Sequence, residues 1–237
     1  MNHQNSYARP SEHAESALVM AILDGKFPPG STLPGERVLA GQLGVTRPTL
    51  REAIQRLARD GWLTVAHGKP TLVNDFWRKG GLNVLGRLIE HQAHLPADFI
   101  PNLLEVRLQL APTYTRAAIS RVPAVILDLL ASAPDIEDPP VTFARFDWQL
   151  HQQLTIHSGN PIYTLILNGF SGFYEDIAQI YFAENGAREL SVAFYEDLRQ
   201  AVTNADPAAA EALTRRVMMA SLDVWRGEEM TTEKIEE

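Results

Sequence analysis

Gly44-Val45-Thr46-Arg47-Pro48-Thr49-Leu50-Arg51-Glu52-Ala53-Ile54-Gln55-Arg56-Leu57-Ala58-Arg59-Asp60-Gly61-Trp62-Leu63 is the stretch that decides how this chain is read. Gly44 can take the positive φ that closes a preceding helix. Thr46 suits an N-cap, because its hydroxyl can accept from an orphan amide of the first turn. Leu50, Ala53, Ile54 and Leu57 recur at helical spacing and make an inward face. Arg47, Thr49 and Arg51 fall outside that face, at the end where the helix dipole favours phosphate. An arginine there can donate two hydrogen bonds to guanine O6 and N7. The helix stops at Asp60-Gly61 and runs into a strand. It is suited to placing its N-terminal end in the major groove of DNA. An ordinary surface helix with scattered arginines has the same pattern, and this segment alone does not separate the two.

The neighbouring sequence shifts the balance. Ser11 to Leu23 carries Ala14, Leu18, Val19, Ala21 and Ile22 at helical spacing, a first helix. Phe27-Pro28-Pro29-Gly30 is a loop. A short second helix opens at Leu33-Pro34-Gly35-Glu36, with Val38, Leu39 and Leu43 as its apolar set. Downstream, Trp62 to Ala66 and Thr71 to Val73 are β-prone and flank His67-Gly68-Lys69-Pro70, a hairpin with a basic tip. Three helices and a hairpin make the winged-helix plan. At the tip, glycine permits close approach and lysine meets phosphate.

Charge is divided along the chain. Residues 1–80 hold ten Lys/Arg against seven Asp/Glu, and residues 81–237 hold eleven against twenty-two, for a net −8. A mildly basic module is joined to an acidic one. The chain has no cysteine, which excludes disulfides, thiolate zinc sites and cysteine nucleophiles. No apolar run approaches the ~20 residues of a membrane span. Met1 to Pro10 is polar and lacks a signal-peptide core. A cytoplasmic protein that does not enter the membrane is expected.

The expected organisation is a winged helix over 1–74, a linker over 75–82, a helical domain over 83–228 and an acidic tail over 229–237. Phe76 and Trp77 are too apolar for a free linker; they pack between the modules or finish the first core. Beyond them, helical spacing dominates. Val84, Leu85, Leu88 and Ile89 form one set. Ile100, Leu103, Leu104, Val106, Leu108 and Leu110 form a broader, deeply buried one. Further sets are Phe143, Phe146, Leu150 and Leu154; Ile162, Leu165, Ile166 and Phe170; Tyr174, Ile177, Ile180 and Tyr181; Phe194, Leu198 and Val202; and Leu213, Val217, Ser221 and Val224. Breakers at Pro96, Pro123, Pro139-Pro140, Ser158 to Pro161 and Asp206-Pro207 fall between them. The fold class is therefore mainly α: a winged helix-turn-helix, then an all-α bundle of six or seven helices.

This arrangement resembles the GntR family of bacterial transcription regulators, and within it the fatty-acid-responsive FadR proteins. The likeness is carried by Lys26-Phe27-Pro28-Pro29-Gly30, Gly44-Val45-Thr46-Arg47, Leu50-Arg51-Glu52, Gln55 to Leu63 and His67-Gly68-Lys69-Pro70-Thr71. It continues through Asn102-Leu103-Leu104, Ser158-Gly159-Asn160-Pro161-Ile162-Tyr163 and Leu165-Ile166-Leu167-Asn168-Gly169, from about residue 12 to Trp225. The resemblance implies a homodimer that binds a palindromic operator in double-stranded DNA and releases it when long-chain acyl-CoA enters the helical domain. It implies repression of fatty-acid degradation and activation of unsaturated fatty-acid synthesis. The implied DNA set is Arg37, Thr46, Arg47, Thr49, Arg51, His67, Gly68 and Lys69. Pro48 stands where the family offers a hydroxyl residue, so one phosphate contact fewer is expected. The implied effector set is Arg107, Tyr195, Ser221 and Trp225, with Arg107 suited to the anionic CoA end. Without the family, core packing is the stronger reading for Tyr195 and Trp225. Met218 replaces a glycine and His151 a phenylalanine.

Asp147 and His151, spaced i, i+4, can face one cavity. In many GntR relatives such a pair joins two later histidines to bind a divalent metal beside a small carboxylate. Here those positions correspond to Tyr195 and Met219, poor ligands for such a cation, and no histidine follows His157. Asp147, His151 and Met218 are therefore assigned to the effector pocket, with no metal and no cofactor. Gly169-Phe170-Ser171-Gly172 lacks nucleophile-elbow spacing, and no phosphate loop of Walker or Rossmann form occurs, so no enzyme is expected. Two alternatives stay open: a regulator answering to a small carboxylate, and a stand-alone acyl-CoA carrier or thioester enzyme with a vestigial winged helix.

Overall fold

The computed structural model describes residues 10–91 and 95–226. The chain divides into two compact units, Met1–Leu95 and Pro96–Glu237. The expected acidic tail, 229–237, lies outside the described residues.

In the N-terminal unit, α1 (Pro10–Leu23), α2 (Glu36–Leu43) and α3 (Arg47–Arg59) precede a two-stranded antiparallel sheet, β1 (Leu63–Thr64) and β2 (Leu72–Val73). Leu63 pairs with Val73 and Thr64 with Leu72. The strands are shorter than the β-prone sequence suggested, but β2 gains a second neighbour. Gly30 and Leu33 donate to Val73 and Thr71, and Val73 donates back to Ser31. The loop after α1 is thereby used as a sheet edge. Gly44 does close α2, at φ 66°. The inward face of α3 is as expected: Leu50, Ala53, Ile54 and Leu57 are all buried against α1 and the sheet. On α2 the expectation holds for Leu39 but not for Val38, which is half-exposed. An eight-residue helix covers its neighbours with only one narrow stripe.

After β2, α4 (Phe76–Lys79) and α5 (Asn83–Glu90) pack onto the same unit. Phe76 stacks on the fully buried Trp62, ring centroids 4.6 Å apart, so it does finish the first core. The backbone makes a close approach here. Gly61 sits at φ 94°, and a Cβ added to it would stand 2.4 Å from the Lys79 carbonyl oxygen. Gly61→Ala is expected to cost about 2–3 kcal/mol, from a disfavoured dihedral plus a clash with backbone. Urea denaturation of the purified variant checks this.

The C-terminal unit contains α6 (Phe99–Arg121), α7 (Pro123–Leu130), α8 (Pro140–His157), α9 (Pro161–Asn168), α10 (Tyr174–Ala183), α11 (Asn185–Thr203) and α12 (Pro207–Arg226). Pro123, Pro140 and Pro161 stand in the first turn of α7, α8 and α9, where a missing amide costs nothing. Helix α6 packs on α12 and α8, α10 on α8, and α11 on α12 and α7. Phe143, Leu150, Leu154 and Leu198 are fully buried at the centre. Among the described residues of this unit there is no strand, and in the whole described chain no helix is long and apolar enough to cross a membrane.

One expectation is overturned. The set Ile100, Leu103, Leu104, Val106, Leu108 and Leu110 is not deeply buried; these residues are partly exposed and Val106 is 48% exposed. The buried face of α6 is Ala111, Tyr114, Thr115, Ala118 and Ile119. The N-terminal half of the helix is apolar because most of this set lines a cavity.

Candidate DNA-reading face and effector cavity

The N-terminus of α3 is built by local chemistry. Thr46 caps it in extended conformation, accepting from the Thr49 amide at 3.3 Å and sharing a 2.8 Å hydroxyl contact with Thr49. Pro48 stands in the first turn, exposed. Arg47 and Arg51 project outward, their side chains 56% and 60% exposed. Glu36 of α2 holds both. The Arg51 Nε donates to its two oxygens at 2.9 and 2.7 Å, and Arg47 lies 3.6 Å away. Hydrogen bonding from Arg51 holds the Glu36 carboxyl below the usual carboxylate range. Glu36 therefore restrains two long side chains before any partner arrives, which lowers the entropy lost when they are ordered. Sequence reasoning assigned it no role; its only signal was its position fifteen residues before Arg51.

Arg37 is exposed on α2. At the wing, His67, Gly68 and Lys69 are exposed, the Lys69 amide donates to Ala66, and Gly68 is at φ 70°. The tip is thus a tight turn with His67 and Gly68 at its centre and Lys69 beside them.

In the C-terminal unit a cavity of about 100 Å³ opens among α6, α8, α9, α10, α11 and α12. Its wall is mainly apolar: Leu103, Leu104, Ile166, Phe170, Ile177 and Phe194 among others. Of the expected effector residues, Arg107, Asp147, Met218, Ser221 and Trp225 reach this wall. His151 and Tyr195 do not. Tyr195 lies in the core, edge-on to Phe146 at 4.9 Å, which is the core-packing alternative. His151, with no exposed surface, stands behind Tyr114.

The polar side of the cavity is a network centred on Asp147, in which Arg107 Nε and His151 Nε2 are buried without a hydrogen-bond partner. Asp147 Oδ2 accepts from Arg107 Nη2 at 2.7 Å and from the Tyr174 hydroxyl. The Arg107 guanidinium also lies over the Tyr174 ring at 5.3 Å. The expectation that Arg107 serves an anionic ligand end meets a guanidinium already neutralised by a buried carboxylate. Burial works to raise the Asp147 pKa, but Arg107, His151 and Tyr174 together outweigh it and hold the carboxyl below its ordinary value. The Tyr114 hydroxyl and His151 Nδ1 are 2.7 Å apart, while His151 Nε2 is 3.6 Å from Asp147 Oδ1. An ionised carboxylate only accepts, so the favoured tautomer carries its proton on Nε2 and Tyr114 donates to Nδ1. On the far side, Ser221 donates to the Val217 carbonyl at 2.9 Å and accepts from Tyr181 at 3.0 Å. Tyr114, Tyr174 and Tyr181 were missed as site residues. Tyr174 and Tyr181 looked like aromatics at helical spacing and Tyr114 was not singled out; only the tertiary fold shows which phenol meets a carboxylate. Among the described residues no group of three or more His, Cys, Asp or Glu side chains is placed to hold a metal ion.

Comparison with known proteins finds two families along the chain, which meet near residue 74, ahead of the break between the compact units after Leu95. Residues 10–73 match the bacterial regulatory proteins of the gntR family, and residues 74–234 match the FadR C-terminal domain. A protein of Shewanella pealeana called fatty acid metabolism regulator protein is 42% identical over 217 residues, covering 92% of this chain and 91% of its own. Its namesake from Shewanella baltica is 43% identical over 216 residues, covering 91% of each. A solved structure of Lar, which controls expression of the Listeria monocytogenes agr system, aligns with a TM-score of 0.62 at 17% identity. It covers 95% of this chain and 100% of that one, a likeness of fold alone. The chain belongs to the GntR family of bacterial regulatory proteins, in the branch that carries a FadR C-terminal domain, and is a regulator and not an enzyme.

Proposed function

We propose that this regulator controls fatty-acid metabolism by binding operator DNA as a homodimer and releasing it when a long-chain acyl-CoA enters the helical unit. On this reading it represses fatty-acid degradation and activates unsaturated fatty-acid synthesis. The observation that carries the DNA half is the pair Arg47 and Arg51, exposed at a capped helix N-terminus and pre-oriented by Glu36. The effector half rests on the apolar cavity beside Trp225 and on relatives called fatty acid metabolism regulator protein. A cavity of about 100 Å³ is smaller than the roughly 150 Å³ that accommodates benzene. A long acyl chain has to part the helices that line it. That cost makes the ligand favour one arrangement of the bundle over another, which is what release by a ligand requires. A small carboxylate effector would have to compete with Asp147 for Arg107, which the 2.7 Å ion pair opposes.

A labelled duplex recovered by selection from a random library serves as operator. Oleoyl-CoA is expected to lower the fluorescence anisotropy of its complex with the protein; unchanged anisotropy removes the effector assignment. Arg47→Ala and Arg51→Ala are each expected to cost about 1–3 kcal/mol on that duplex and much less on random sequence. Lys69→Ala should weaken both alike and reduce the salt slope by about one. Equal small losses on both duplexes for the arginines would remove their base-reading role.

A further inference from the structure

The N-terminal unit contains a buried charge that DNA reading does not use. Glu15, on α1, is only 3% exposed. Each of its oxygens takes a different arginine: Oε1 accepts from Arg56 Nη1 of α3 at 3.0 Å, and Oε2 from Arg87 Nη2 of α5 at 2.8 Å. A carboxylate removed from water in this way is tolerable only when both oxygens are satisfied by charge. The clamp therefore joins three helices through one side chain. It sits beside a second tie between the same elements. Asp60, which ends α3, accepts from Asn83 of α5 at 3.1 Å.

The geometry points to Arg87 as a positioning residue for operator reading: through Glu15 it fixes the seating of α3, and thereby the direction of Arg47 and Arg51. The inference rests on the reading of α3 as the DNA-binding helix. Arg56 lies nine residues beyond Arg47, roughly 13 Å along the helix axis. A helix of this length tilts as a rod, so a small shift at Arg56 is carried to its base-reading end. Without Arg87, Glu15 keeps a buried oxygen unpaired. The change that satisfies it is for Arg56 to move toward both oxygens, carrying α3 with it. Arg87 is itself held from the other side by Glu90 at 3.0 Å, so the position of α5 sets where the clamp closes.

The test uses the full chain and the duplex selected by the unaltered protein. Arg87→Ala is expected to lose roughly tenfold in affinity for that duplex, the scale of contacts that act from outside an interface. Affinity for random duplex and its salt slope should stay as they were. Arg87→Lys, which can still reach Glu15, should recover most of the loss. Should alanine lower the melting temperature markedly, Arg87→Met is read in the same way, since it keeps the apolar stem but offers no donor to Oε2. Full affinity of the alanine or methionine variant for the selected duplex overturns the inference. So does an equal loss on selected and random duplex with a shallower salt slope, which would make Arg87 a phosphate contact. If the unaltered protein selects no duplex at all, the DNA reading itself fails, a distinct result.

Discussion

Asp147→Ala is expected to destabilise the C-terminal unit by about 3–5 kcal/mol, because it leaves the Arg107 guanidinium buried without its counter-charge. Three groups converge on this carboxylate: Arg107 and Tyr174 on one oxygen, His151 near the other. Its loss strands a cation and a phenol together. The comparison that isolates the cause is Asp147→Leu combined with Arg107→Met. Removing both charges in favour of apolar side chains of similar size should restore most of the stability, since a buried ion pair is often no better than a well-packed apolar pair. Urea denaturation of the two single variants and the double variant gives the coupling energy directly. If the double variant is as unstable as the sum of the singles, the pair is not what holds these helices, and the cavity wall depends on something else. The same variants separate structure from recognition. A stable double variant that no longer answers to acyl-CoA would place the ion pair in the effector response.

How much of this could be read from the chain differs between the units for a physical reason. In α3 the cap, the apolar face and the outward arginines are all local: Thr46, Leu50, Ala53 and Arg51 each act within a turn or two of their neighbours. The pattern there is the structure. The wing was legible in kind but not in length, because two paired residues per strand suffice once residues 30–33 supply the other edge. In the C-terminal unit the helices were legible from spacing and proline breaks, but their roles were not. The leucines at 103 and 104 have the spacing of a core face, and apolar spacing does not tell a core from a cavity wall. Tyr195 shows the converse: assigned to the pocket by resemblance, it packs into the core. Glu15, Glu36 and Asp147 are separated from their arginine partners by eleven to seventy-two residues, and no local rule pairs them. Long-range charge pairing is the part of the site that only the fold reveals.

The stability of the C-terminal unit is also expected to fall as the pH drops below about 6.5, and His151 is the reason. Burial, aided by the nearby Arg107 and opposed by Asp147, pushes its pKa down from 6.5 to about 3. The unfolded chain therefore takes up a proton on this imidazole near pH 6.5, while the folded chain does so only near pH 3. Between those values the unfolded state binds more protons, so stability rises with pH and is lost as pH falls through the window. The slope approaches about 1.4 kcal/mol per pH unit, for a loss of roughly 3 kcal/mol by pH 4. Asp147 acts in a separate window. Its depressed pKa contributes stability that is present above the ordinary carboxylate range and lost below it. His151→Phe tests the assignment without removing the ring. At pH 7 the variant should be less stable by about 1–2 kcal/mol, because the buried Tyr114 hydroxyl loses its acceptor. Between pH 6.5 and pH 4.5 its stability should be nearly flat where the unaltered protein declines, so that the two curves converge. Urea melts at half-unit steps across that range decide the matter: parallel curves would mean that some group other than His151 carries the acid sensitivity.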